Sequence, residues 1–163
     1  MVQPVSAAAE RDRILDELRR AWDGDPWHGD SLNSILHGLT ADAAAARPLP
    51  HAHTAGEIVL HLAAWTREVT RRLRDRVARD PADGDWPASG GAFEDAVDAL
   101  ARAHADLLAE VAAFPAAELD QTVGEARDRP LGSGVPYAVM LHGVAQHYAY
   151  HAGQIALLRK ATG

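Results

Sequence analysis

Four stretches of this chain repeat apolar residues at helical spacing, and glycine or proline separates each from the next. Ser6 can cap the first, which runs to about Trp22 with Ile14, Leu15, Leu18 and Trp22 on one face. Asp23-Gly24-Asp25-Pro26 ends it. A connector follows, with a short helix from about Leu32 to His37 and another turn starting at Thr40, and Pro48 and Pro50 stop it. The second long helix opens at Thr54 and extends to about Arg79. Thr54-Ala55-Gly56-Glu57 fits a capping box, in which the threonine hydroxyl and the Glu57 carboxylate each satisfy the other's backbone N–H. Ile58, His61, Leu62, Trp65, Val69 and Leu73 form its inner stripe, and the arginines from Arg67 to Arg79 read as a solvated outer face. Asp80 to Gly91 is a loop, where Trp86 is an unusual residue placed to cover something.

The third helix spans about Ala92 to Phe114, with Ser89 as a candidate cap. Its seam is Phe93, Val97, Leu100, His104, Leu107 and Val111. Ala116 to Pro136 shows little periodicity, and a loop of that length in a compact domain is often functional. The fourth helix opens at Val135-Pro136, runs to about Lys160 and carries Met140, Val144, His147, His151, Gln154 and Leu158 on one face. These elements predict an all-α fold: a four-helix bundle with long connections and a short extra helix between helices one and two. The 163 residues are enough for one domain with a sizeable core. The second and third connections are long enough to join non-adjacent helices, and the pattern leaves helix order open.

Composition removes several kinds of chemistry. There is no cysteine, so disulfides, thiolate metal sites and a cysteine nucleophile are excluded, and a metal would have to use His, Asp or Glu. A formal charge of -7 repels phosphate backbones and argues against nucleic-acid binding. No run of about 18 apolar residues suggests a membrane span, and the N-terminus lacks the pattern of a signal peptide, so a cytoplasmic location is expected. GxGxxG, GxxxxGK[ST], HExxH and GxSxG are all absent.

The histidines remain. His147 and His151 stand four apart, one above the other on a helix, where two imidazoles can chelate one ion. His61, on the inner stripe of the second helix, completes a three-nitrogen set if the second and fourth helices are neighbours. Buried histidines bonded to backbone or water are the alternative. Three neutral imidazoles suit zinc, nickel, iron, cobalt or manganese and leave a position open for water or substrate. His104 can be a fourth ligand, a partner to a ligand or a core residue, and its apolar seam favours the core. Glu57 is explained by its cap. Gln154 can orient a ligand or bond between helices, and Trp65 lies one turn beyond His61. His142 points off this face, His28 beside Trp27 is a candidate for the pocket mouth, and His37, His51 and His53 read as solvated.

The run HGVAQHYAYHAGQIALLRK, with HLAAW upstream and DPWHG near the start, resembles the DinB/YfiT-like family of metal-dependent four-helix proteins. The resemblance covers nearly the whole chain. It implies a divalent metal, often nickel or zinc, on His61, His147 and His151, and a homodimer. It also implies a role as a thiol-dependent transferase or hydrolase, acting on a small electrophile with bacillithiol, mycothiol or glutathione. The catalytic acid and base stay unassigned. A metal- or ligand-binding stress-response protein without turnover, and an interaction module without metal, are the competing expectations.

Overall fold

The computed structural model describes residues 6–125 and 134–162. Helix α1 (Ala7–Asp23) is capped by the Ser6 hydroxyl, which accepts from the Ala9 N–H, and buries Ile14, Leu15, Leu18 and Ala21. Two short helices follow rather than one, α2 (Leu32–Leu36) and α3 (Ala41–Ala45), and Thr40 caps the second of them. Helix α4 (Ala55–Asp75) opens with the complete Thr54–Glu57 capping box. Helix α5 (Phe93–Ala113) starts at Ala92 without a side-chain cap, so Ser89 does not serve as one. Helix α6 (Tyr137–Thr162) closes the chain.

Helix α4 packs against α5 and α6, and α1 packs against the same two. The four long helices therefore form a bundle in which α1 and α4 lie diagonally. The α1–α4 connection crosses the bundle and carries α2 and α3, whereas α4 and α5 are close neighbours despite the loop between them. One apolar core draws residues from every helix, including Ile14, Leu18, Leu62, Leu100, Leu107 and Ile155. The adjacency of α4 and α6 decides the site, because it sets the inner stripe bearing His61 against the face bearing His147 and His151.

Helix α4 stops four residues before the expected Arg79. Arg76 takes a left-handed conformation, φ 60°, and turns the chain back. Val77–Ala78 then forms strand β1, which pairs in parallel with β2 (Gly124–Glu125) inside the stretch read as loop. Only glycine fits at position 124, since a Cβ there would lie 2.6 Å from the Arg76 carbonyl oxygen. This return covers part of the arginine-rich face. Arg72 is 3% exposed and Glu68 1%, and the Arg72 Nε donates to Glu68 at 3.0 Å. The same carboxylate accepts from the Arg79 N–H at 2.9 Å, and Arg72 Nη2 donates to the Arg79 carbonyl at 2.7 Å. A face read as solvated thus holds a buried ion pair that clamps the turn after α4.

Candidate metal centre

His61 lies in α4, and His147 and His151 lie one turn apart in α6. Their ring centroids are 4.5 to 5.0 Å from one another, and one ligand nitrogen of each lies within 4.8 Å of the others. Hydrogen bonds assign the proton on two of the rings. His61 Nδ1 is 2.6 Å from the Asp85 carbonyl oxygen, which can only accept, so Nδ1 carries the proton. His151 Nδ1 is 2.6 Å from Gln154 Oε1, which also accepts only. Burial lowers the pKa of both histidines below the ordinary 6.5 and favours the neutral ring, which leaves Nε2 of each as a lone pair. His147 Nε2 lies 3.0 Å from His61 Nε2, and burial together with the neighbouring imidazoles takes its pKa down to about 3. The donor set therefore fits a metal ion: neutral imidazoles, with two orientations fixed by their outer nitrogens.

The Asp80–Gly91 loop completes this arrangement, and sequence reasoning missed most of its role. Asp85 supplies the carbonyl that fixes His61, while its carboxylate accepts from the Trp65 indole N–H at 2.7 Å. Trp65 thus anchors the loop that orients His61. Arg67 donates to Asp83 at 2.7 Å, and Gly84, at φ 83°, allows the tight turn between these two aspartates. The same turn delivers Trp86, whose indole is stacked 4.1 Å from His61 and 3.4 Å from His53. His53, exposed as read, is also one face of a three-ring stack over the site. Nothing in the spacing of His53, Asp85 or Trp86 signals this, because the loop that brings them together has no periodicity. Trp86 alone was conspicuous in the sequence.

Two clefts open on the histidine cluster. One, of about 500 Å³, is bordered by His61, His147, Trp65, Asp85, Met140 and Val144. The other, of about 530 Å³, is bordered by His151, Gln154 and Trp86.

A family model for the DinB superfamily matches residues 27–155, which include all three histidines. The chain belongs to the DinB superfamily. No curated protein and no solved structure matched it. The helical bundle agrees with the fold expected of a DinB-like chain, and no helix among the described residues is long and apolar enough to cross a membrane. The three-histidine group of this DinB superfamily member could hold a metal ion.

The remaining histidines fall outside that group. His104 is 3% exposed and stacks on Trp22 with ring centroids 5.0 Å apart. Thr66 donates its proton to the Leu62 carbonyl, so the Tyr148 hydroxyl donates to Thr66 at 3.1 Å, and His104 Nδ1 donates to Tyr148 at 3.4 Å. His28 is exposed and lines a separate hollow with Ala149 and Gly153, away from the pocket mouth expected for it. Those two α6 positions each stand about 200° round the helix from His151, so the α1–α2 connector reaches the opposite side of α6. His142 accounts for itself with hydrogen bonds to Glu17 at 2.7 Å and Glu10 at 2.8 Å.

Burial lowers the His104 pKa from 6.5 to about 4. Between those values the unfolded chain binds the proton and the folded one does not, so stability falls as pH drops through this window. The loss reaches about 3 kcal/mol by pH 4. Urea denaturation at pH 7.5 and pH 4.5 should show a smaller acid loss for His104→Phe than for the wild type. An unchanged difference would remove His104 as its cause.

Proposed function

We propose that this protein is a divalent-metal-dependent enzyme. Nickel or zinc would be bound by His61, His147 and His151, and the reaction would be thiol-dependent transfer to, or hydrolysis of, a small electrophile. The observation that carries this reading is the convergence of three neutral imidazoles, two oriented through their outer nitrogens, at the junction of two clefts. Three protein ligands leave a coordination position open, which suits a reactive site more than a structural one. A bound divalent ion supplies a Lewis acid that lowers the pKa of a water or thiol beside it.

The chain's own residues do the rest. Asp85 and Gln154 hold the Nδ1 protons of His61 and His151, which keeps both rings in one tautomer. Trp86 covers His61 and limits access of bulk water from that side. Asp85 borders the first cleft and is the nearest carboxylate to the cluster, so it is our candidate to accept a proton from the nucleophile. The superfamily resemblance favours a homodimer.

The test is turnover with low-molecular-weight thiols and electrophiles, with and without chelator. Activity that chelator abolishes and added metal restores supports the proposal. Activity indifferent to chelator, or none across the panel in metal-loaded protein, would count against it and favour a metal-binding protein without turnover. Gln154→Ala should weaken metal binding about 10- to 100-fold in calorimetric titration, the usual effect of removing a group that orients a ligand. Unchanged affinity would assign Gln154 to helix packing alone.

A further inference from the structure

Both clefts are mostly apolar, and they differ in their charged groups. The first contains Asp85 and Arg72. The second has no acidic or basic side chain apart from histidine along its wall. Its lining is dominated by Leu49, Ile58, Trp86, Tyr150, Leu157 and Leu158, and also includes His151 and Gln154. Six large apolar side chains are exposed among the described residues, and four of them border this one cleft: Leu49 at 56%, Trp86 at 37%, Tyr150 at 66% and Leu157 at 68%. Single exposed apolar residues are ordinary, whereas a group of them around a concavity marks a binding surface. A volume of about 530 Å³ is in the range of small-molecule sites.

We infer that this second cleft binds the uncharged apolar body, aromatic or medium-length alkyl, of the electrophile whose reactive end lies at the histidine cluster. The inference rests on the proposed metal-dependent reaction for the word electrophile, and on the cleft itself for the apolar body. A charged ligand would find no counter-ion there and would lose its hydration without return. A flat apolar face could equally receive a second copy of the chain. This one is concave and has a ring of the cluster in its wall, so its occupant can touch His151. Specificity would then divide between the clefts: the one bordered by Asp85 for the nucleophile, the one without a carboxylate or guanidinium for the electrophile.

The test uses the full chain, with and without bound metal. Binding of the uncharged fluorescent probe N-phenyl-1-naphthylamine is measured for the wild type, Leu157→Asp, Leu49→Asp and Val139→Asp. All three positions are exposed, so these variants should fold, and Val139 lies outside the cleft. The cleft variants should bind the probe at least about tenfold more weakly, with Val139→Asp unchanged. Primary n-alkyl alcohols should displace the probe from the wild type about three- to fourfold more tightly per added methylene. Equal binding by Leu157→Asp, or displacement independent of chain length, would overturn the assignment. So would a halved sedimenting mass for Leu157→Asp, which would identify a second copy as the occupant. Wild-type protein that takes up no metal, yet binds the probe with this pattern, would remove the metal reading and leave the apolar cleft standing.

Discussion

His147→Ala protein, loaded with zinc or nickel and desalted, should retain almost no metal under conditions in which the wild type holds about one ion per chain. Removing an outer partner of a ligand already costs about 10- to 100-fold in affinity, so removing a ligand should cost more than about a hundredfold. The remaining pair, His61 and His151, stand on different helices and lack the chelating i,i+4 spacing that His147 provides. His147 is half-buried, and alanine suits a helix, so the variant should fold with wild-type helix content. Elemental analysis beside circular dichroism reads both. Equal metal in variant and wild type would place the ion elsewhere. Acid should release the metal late. All three imidazoles have lowered pKa values, His147 down to about 3, so protons compete for them only below the ordinary 6.5. A release midpoint at or above pH 6.5 would contradict the burial of the set.

Arg72→Ala should destabilise the fold by about 3 to 5 kcal/mol, because it strands the Glu68 carboxylate in the interior. Glu68 is 1% exposed, and its Oε2 has no hydrogen bond, with the Arg71 guanidinium 3.5 Å away. Its other oxygen would keep only the Arg79 N–H. At about 2 to 4 °C per kcal/mol for a chain of this size, the melting temperature should fall by about 6 to 20 °C. The double variant Glu68→Gln, Arg72→Met removes both charges and should recover most of the loss, since an uncharged pair owes no ionic desolvation. Calorimetry of the three proteins decides the matter. A loss below about 1 kcal/mol for Arg72→Ala would show that water or Arg71 compensates the carboxylate.

The readable parts of this chain were those with local physical signatures. Ser6 and Thr54 cap helices because a hydroxyl at that position satisfies a backbone N–H two or three residues on, and the structure shows both. The inner stripes followed from the 3.6-residue period, and they set His61, His147 and His151 on buried or half-buried faces. The misreadings lie where distant chain covers a surface. Arg72 looked solvated because it follows Arg71 in a charged run, yet the turn at Arg76 folds β1 back beside it. His53 lies in a connector and is exposed as read, and what the sequence did not show is that Trp86, 33 positions on, stacks on it.

The sequence by itself determined that the chain is helical, where its long helices begin and end to within a few residues, and which histidines face inward. Backbone capping and apolar periodicity act over one or two turns, so they leave their mark in neighbouring residues. The tertiary structure alone decided that α4 lies beside α6, which turns an i,i+4 pair and a remote third histidine into one cluster. It also decided that Asp85, Trp86 and Gln154 orient and cover that cluster, and that one of its two clefts has no carboxylate or guanidinium in its wall. These contacts depend on how a bundle packs and where an aperiodic loop lands. No local rule fixes either, because their energy comes from surfaces that meet only after folding.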